Sequence, residues 1–286
     1  MNWLSKIPRV AEIIWVHLES DPTPLKEGTT LKMVCGSFYL PKESENRSLL
    51  GEDAQFICAK ENTIGVADGV GGWAKYGVDA GEYARKLMDN SVMAVHNQHR
   101  KSGDVDVDPI QILHEAYGNT KNIAGTSTAC IVTLSNEGRA LHAVNVGDSG
   151  FMLFRDKKCV YISPIRQSYF NCPLQLGTGS GYTPQSATEI KVRVLRPGDV
   201  IVLGTDGLLD NVSPGEIEKV LEENTIEGFV EPEMLAWIIA ERLALRNSED
   251  AGRLTPFSIA AHKAGVEHIG GKRDDITVIV GQILAA

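Results

Sequence analysis

Long apolar runs are missing from this sequence. No stretch approaches 18 consecutive apolar residues, so no segment reads as a membrane-spanning helix. A basic excess is missing too. Lys and Arg number 28 against 37 Asp and Glu, a formal net charge of −9, which excludes a nucleic-acid partner held by phosphate neutralisation. Cysteine pairs are also absent. The five cysteines (Cys35, Cys58, Cys130, Cys159, Cys172) are odd in number and show no CxxC spacing. That excludes a disulfide framework or a zinc site and suits buried thiols in a reducing, intracellular compartment, with cytoplasm, plastid and mitochondrion left open. His96, His99, His114 and His142 form no constellation. Internal repeats and low-complexity tracts are absent. The apolar patch Ile13-Ile14-Trp15-Val16 is too short for a signal-peptide core, and Glu12 and Glu19 argue against a transit peptide. The expectation for the first 20 residues is a surface helix, and for the sequon Asn46-Arg47-Ser48 a plain loop.

What is present is a chain of 286 residues with 43% hydrophobic content, enough to bury a substantial core. Pro22 and Pro24 suggest a boundary between an N-terminal extension, 1–30, and a domain, 31–286. Apolar runs rich in β-branched residues and bounded by turn residues predict strands at 55–59, 63–67, 127–134, 140–146, 151–154, 158–162, 190–194, 200–203 and 276–283. Arg196-Pro197-Gly198-Asp199 reads as a tight turn joining two of them. Helical spacing appears in Ala80, Tyr83, Ala84, Leu87, Ser91, Ala94 and Val95, and in Leu235, Ile238, Ile239 and Leu243. Shorter helices are expected at 109–117, 214–222 and 256–264, each opening at a proline. Helices cluster between runs of strands, which favours an α+β layered fold with largely antiparallel sheets.

The carboxylates fall in a pattern. One predicted strand runs into Asp68-Gly69-Val70-Gly71-Gly72. Another ends at Gly147-Asp148-Ser149-Gly150, and a third at Gly204-Thr205-Asp206-Gly207, with Asp210 close behind. Glu52-Asp53 and Asp274-Asp275 each precede a strand. A carboxylate at a strand end stands on a rigid support, and a neighbouring glycine lets backbone approach a ligand. Asp-Gly alone is more often a turn. If these ends converge, eight carboxylates share one cleft, and their mutual repulsion is relieved by cations. All-oxygen ligands without His or Cys point to magnesium or manganese.

These motifs, with Gly125-Thr126-Ser127-Thr128-Ala129, Thr205-Asp206-Gly207-Leu208-Leu209-Asp210 and Asp274-Asp275-Ile276-Thr277, resemble in order the motifs of the protein phosphatase 2C family, over roughly 34–283. The stretches 65–77 and 255–277 look like the branch found in plants and mitochondria. The resemblance implies a four-layer α/β/β/α sandwich, two antiparallel sheets flanked by helices, with two Mg2+ or Mn2+ ions at one edge. It implies that Asp68 bridges both ions, that Asp206 and Asp274 complete one site, and that Glu52 and the Gly69 carbonyl complete the other. Asp53 would hold water in the second shell, and Asp148 and Asp210 would help bind a weaker third ion. The implied activity is hydrolysis of phosphoserine and phosphothreonine in phosphoprotein substrates by a metal-activated water, in a monomer. No cysteine is followed by arginine six positions later, so a Cys-x5-Arg phosphatase mechanism is excluded.

Two departures from the family pattern stand out. Val70 occupies the place of a proposed general-acid histidine, and Ser48 that of the usual phosphate-binding arginine, with Arg47 one residue out of register. Val70 keeps open a second reading, a catalytically weak phosphate-binding regulatory protein on the same scaffold. A third reading is a calcium loop. Asp104, Asp106, Asp108 and Glu115 match EF-hand positions one, three, five and twelve, but position six is Pro109, not glycine. A solvated acidic loop before a helix is the expectation there. The irregular stretch 163–188 is where substrate specificity is expected to reside.

Overall fold

A computed structural model describes residues 12–18, 30–42, 50–102, 106–135 and 139–286. Arg47, Ser48, the sequon and Asp104 lie outside the described residues, as does most of segment 1–30. The strands are β1 (Glu12–His17), β2 (Leu31–Leu40), β3 (Asp53–Cys58), β4 (Thr63–Asp68), β5 (Thr126–Ser127), β6 (Ala129–Ser135), β7 (Ala140–Val146), β8 (Gly150–Arg155), β9 (Lys158–Ile162), β10 (Gln167–Tyr169), β11 (Cys172–Pro173), β12 (Leu176–Gly177), β13 (Thr188–Arg193), β14 (Val200–Gly204) and β15 (Ile276–Ala285). The α-helices are α1 (Ala80–Ser102), α2 (Pro109–Asn119), α3 (Asp206–Leu209), α4 (Pro214–Asn224), α5 (Pro232–Trp237), α6 (Arg246–Glu249) and α7 (Pro256–Lys263).

Two sheets carry the fold. One has the order β1-β13-β7-β6-β4-β3 and the other β2-β15-β14-β8-β9. Every pairing within them is antiparallel except β1 with β13. The sheets face each other across a core that includes Ile64, Val66, Val132, Phe151, Leu203 and Ile279. Helices α1 and α2 cover the outside of the first sheet through Tyr83, Leu87, Ile112 and Leu113. Helices α4 and α5, with the π-helical stretch Ile238–Leu245, cover the second through Ile217, Leu235 and Ile239. This is the expected α/β/β/α sandwich. Double coverage explains why β14 is buried at every residue and reads as a continuous apolar run rather than an alternation.

Three expectations change. Residues 12–17 form an edge strand, not a surface helix, with Glu12 to His17 in register against Thr188 to Arg193. Ile, Ile, Trp and Val in sequence suit a pleated surface better than a helix. Strand β2 was not expected, because Gly36 and Ser37 interrupt its middle. The helix around Leu235–Leu243 widens into a π-helix between α5 and α6. Within the stretch 163–188, β10 pairs with β11, and β12 pairs with β5 from outside the stretch. None of the described helices is long and apolar enough to cross a membrane.

Candidate metal centre

Asp68 closes β4, Asp148 lies in the link from β7 to β8, and Asp206 opens α3 directly after β14. The β7–β8 link passes from one sheet to the other, so these aspartates meet where the two sheets end together. Carboxylate oxygens of Asp68, Asp148 and Asp206 lie within 4.8 Å of one another. Asp53 stands directly across the ladder from Asp68, so both side chains emerge on one face.

Backbone contacts fix these positions. The Asp68 N–H donates to Thr128 Oγ1 at 3.1 Å, and the Thr128 N–H donates to the Asp68 carbonyl at 2.9 Å. The Gly69 N–H donates to the Glu52 carbonyl and the Val70 N–H to that of Thr126. The Gly-Thr-Ser-Thr motif is thus the splint along which Asp68-Gly69-Val70 lies. A Cβ on Gly69 would stand 2.3 Å from the Ala80 carbonyl oxygen, and one on Gly207 1.9 Å from that of Asp275. The glycines beside these aspartates therefore serve close approach of backbone segments.

Asp275 is the organiser of the Glu52 loop. One of its oxygens accepts from the Glu52 N–H, from the Asp53 N–H at 3.2 Å and from Tyr39 Oη at 2.9 Å, and the other from the Lys42 N–H at 2.6 Å. Asp53 is buried, and its Oδ2 accepts from Thr205 Oγ1 at 2.8 Å and Thr277 Oγ1 at 2.7 Å. Two lysines enter the cluster. Lys42 Nζ reaches Glu52 at 3.2 Å and Asp274 at 2.8 Å. Lys272 Nζ donates to Asp206 and, at 2.9 Å, to Asp210, and lies 3.6 Å from Asp274.

Even so, negative charge is in excess. Burial pushes the Asp206 carboxyl up to about 8, and the Asp274 charge adds to this while Lys272 opposes it. Asp210 is pushed up to about 6 by burial, against the pull of Lys272. Asp68 is raised well above the usual carboxylate range, first by desolvation, then by the charges of Asp206, Asp53, Asp274 and Asp148. Burial likewise raises Asp53, Asp148 and Glu52. Oδ1 of Asp53, Asp148 and Asp206 are each buried without a hydrogen-bond partner. Orphaned acceptors of one sign at one place are what a cation site looks like before its ion is counted. An all-oxygen donor set suits magnesium or manganese, so the residues present fit the expected ions.

The comparisons with known proteins agree. The profile of the family described as Stage II sporulation protein E (SpoIIE) matches residues 84–283. Probable protein phosphatase 2C 55 of Arabidopsis thaliana is 45% identical over 256 residues, covering 90% of this chain and 53% of that protein. Protein phosphatase PTC7 homolog fig of Drosophila virilis is 34% identical over 255 residues, covering 82% of this chain and 78% of that protein. The chain belongs to the protein phosphatase 2C family. The solved structure of the photosystem II phosphatase PBCP superposes on this phosphatase 2C chain with a TM-score of 0.77 at 30% identity, covering 87% of this chain and 98% of that one. The catalytic domain of the serine/threonine phosphatase PstP, solved with 2 manganese ions, shares the fold at a TM-score of 0.58 and 19% identity, covering 89% of this chain and all of that one. The chain spans 53% and 63% of the lengths of two Arabidopsis relatives, phosphatases 2C 55 and 2C 80.

In this phosphatase 2C chain, Asp68, Asp148 and Asp206 of the acids named from the sequence group their carboxylates, while Glu52 and Asp274 are joined through Lys42. Asp148, expected at the periphery, has its carboxylate in the same group as Asp68 and Asp206. Sequence reasoning missed Lys42, Lys272 and the anchoring part of Asp275. The available signal was the basic residue two places ahead of Asp274, in Gly270-Gly271-Lys272-Arg273. The calcium loop is not supported. Asp108 caps α2 by accepting from the Ile110 N–H at 3.0 Å, and Asp106 accepts from Ser135 Oγ at 2.6 Å.

Proposed function

We propose that this chain is a metal-dependent protein serine/threonine phosphatase whose phosphatase domain spans 31–286 and takes β1, from segment 1–30, as an edge strand. The observation that carries the proposal is the convergence of Asp68, Asp148 and Asp206 with buried, unpartnered oxygens on the last two. The names of the relatives and the two manganese ions of the PstP structure support it. Asp68 would serve both ions, Asp206 and Asp274 one of them, and Glu52 with the Gly69 carbonyl the other. Two magnesium or manganese ions held there would acidify a water and neutralise phosphoryl oxygens.

The chain's own groups do the rest. Asp53, tied at Oδ2 by two threonine hydroxyls, keeps Oδ1 to orient water beside Asp68. Lys42, part-exposed at the mouth between Glu52 and Asp274, offers an ammonium to the incoming phosphoryl group. Val70 has no titratable group, so the leaving oxygen takes its proton from water or from another group. Burial pushes the Cys58 thiol up to about 11 and Cys35 up to about 12, so neither is a thiolate nucleophile at neutral pH. All five cysteines are free, in keeping with a reducing, intracellular compartment, where the proposed monomer would act on phosphoprotein substrates. The test is phosphate release from phosphoserine, phosphothreonine and phosphotyrosine peptides with manganese and with EDTA. Turnover of the first two with manganese alone is expected, and turnover unaffected by EDTA would overturn the reading.

A further inference from the structure

Lys272 is built into the centre rather than draped over it. Its N–H donates to Asn211 Oδ1 at 2.9 Å, and its carbonyl accepts from Asn211 Nδ2 at 2.8 Å. Asn211 Nδ2 also reaches the Gly207 carbonyl at 2.9 Å, and the Asn211 carbonyl accepts from Asn247 Nδ2 at 2.8 Å. One asparagine thereby ties the lysine backbone to the turn that carries Asp206 and Asp210. The Phe257 ring lies 5.2 Å from the ammonium, which adds a favourable cation–π contact. The side chain is 16% exposed. A surface lysine that merely drifts toward a negative cleft has no such anchorage, and its ammonium stays in water.

The position of the ammonium divides the cluster. Lys272 takes Oδ2 of Asp206 and Oδ2 of Asp210, and stands near Oδ2 of Asp274. Asp206 Oδ1 is left buried and without a partner, and the Asp206 carboxylate groups with those of Asp68 and Asp148. Asp206 thus has one oxygen for a resident ammonium and one for a metal ion. Asp210 is committed to the ammonium.

We propose that Lys272 is a permanent cation of the centre, which fills the space between Asp206 and Asp210 and limits the chain to two divalent ions. This rests on the metal-dependent reading above and replaces the sequence-based expectation that Asp148 and Asp210 help hold a third ion. A fixed ammonium cannot be diluted away, so the outer carboxylates stay neutralised at any metal concentration, and only the two inner ions exchange. Lys272 acts through Asp206 and Asp210 and is a positioning residue.

The experiment is equilibrium dialysis of the full chain against manganese, with bound metal counted by mass spectrometry and folding checked by circular dichroism. Wild type is expected to saturate at two ions. Lys272→Gln is expected to gain a third, weaker one, because Asp206 and Asp210 are left facing each other without a cation. Lys272→Arg is expected to return the count to two. Three ions on wild type would overturn the lysine inference and leave the metal reading standing. No ion on wild type would overturn the metal reading itself. Two ions on a folded Lys272→Gln chain would also overturn the inference. If that variant does not fold, anomalous diffraction from manganese-grown crystals of wild type decides. Lys272 Nζ on Asp206 and Asp210 with no manganese at Asp210 supports the inference, and manganese in contact with Asp210 refutes it.

Discussion

Replacing a buried aspartate by asparagine should have opposite signs at two places in this molecule. Asp199 is satisfied. Arg155 donates to both its oxygens, at 2.8 and 2.7 Å, and the Arg196 N–H adds a bond at 3.0 Å. Removing that charge deprives a buried guanidinium of its counter-ion, which costs about 3–5 kcal/mol. Asp206 is frustrated. Its carboxyl is displaced from an ordinary value near 3.8 up to about 8, so holding it ionised at alkaline pH costs up to about 6 kcal/mol. Asparagine keeps the shape and removes the charge, while Lys272 retains Asp210 and Asp274. In EDTA at pH 8, Asp206→Asn should melt at or above wild type. Asp199→Asn should melt roughly 6–20 °C lower, at about 2–4 °C per kcal/mol. With manganese the order changes. An ion at 100 times its Kd adds ~2.7 kcal/mol, or roughly 5–10 °C, to wild type. Asp206→Asn should lose that gain and all turnover. Thermal melts followed by circular dichroism read both effects. An Asp206→Asn chain that is as destabilised in EDTA as Asp199→Asn, or that keeps the manganese gain, would refute the reasoning.

Three further outcomes follow from the same geometry. The native chain without metal holds protons on Asp206 and Asp210, which titrate near 8 and 6, after the unfolded chain has released them near 4. Its stability in EDTA should therefore fall as pH rises from about 4 to 8, and manganese affinity should rise over the upper part of that range; metal-free stability that climbs with pH contradicts this. Asp275→Ala removes an acceptor shared by Tyr39, Lys42, Glu52 and Asp53. It should cost about 2–4 kcal/mol in urea denaturation and weaken manganese binding by displacing Glu52, whereas unchanged affinity would detach Asp275 from the site. Lys42→Met should raise KM for a phosphopeptide about tenfold, through the loss of a charge-assisted bond, with kcat changed much less; a normal KM would assign phosphate binding elsewhere.

The acids were legible because each punctuates an apolar strand, and glycine beside them marks close approach. What could not be read was which strand ends meet. Asp148 comes to the centre only because the β7–β8 link crosses between sheets, and no local spacing encodes that crossing. The two lysines were hidden for a related reason. A lysine in sequence reads as solvent-facing, and only tertiary structure brings Lys42 and Lys272 over carboxylates. Among the elements, β14 and β7 were legible from composition, but β1 was not. Its six residues gain their strand character from pairing with β13, more than 170 residues away in the chain. The π-helical stretch was legible as helix but not as a widened one, because the apolar spacing of Leu235, Ile238 and Ile239 serves either winding.

Anomalous diffraction from crystals of the chain grown with manganese tests the central claim most directly. The account predicts two peaks about 3.5–4 Å apart, both in contact with Asp68, one with Asp206 and Asp274 and the other with Glu52. A single peak, or a pair that does not share Asp68, would contradict it.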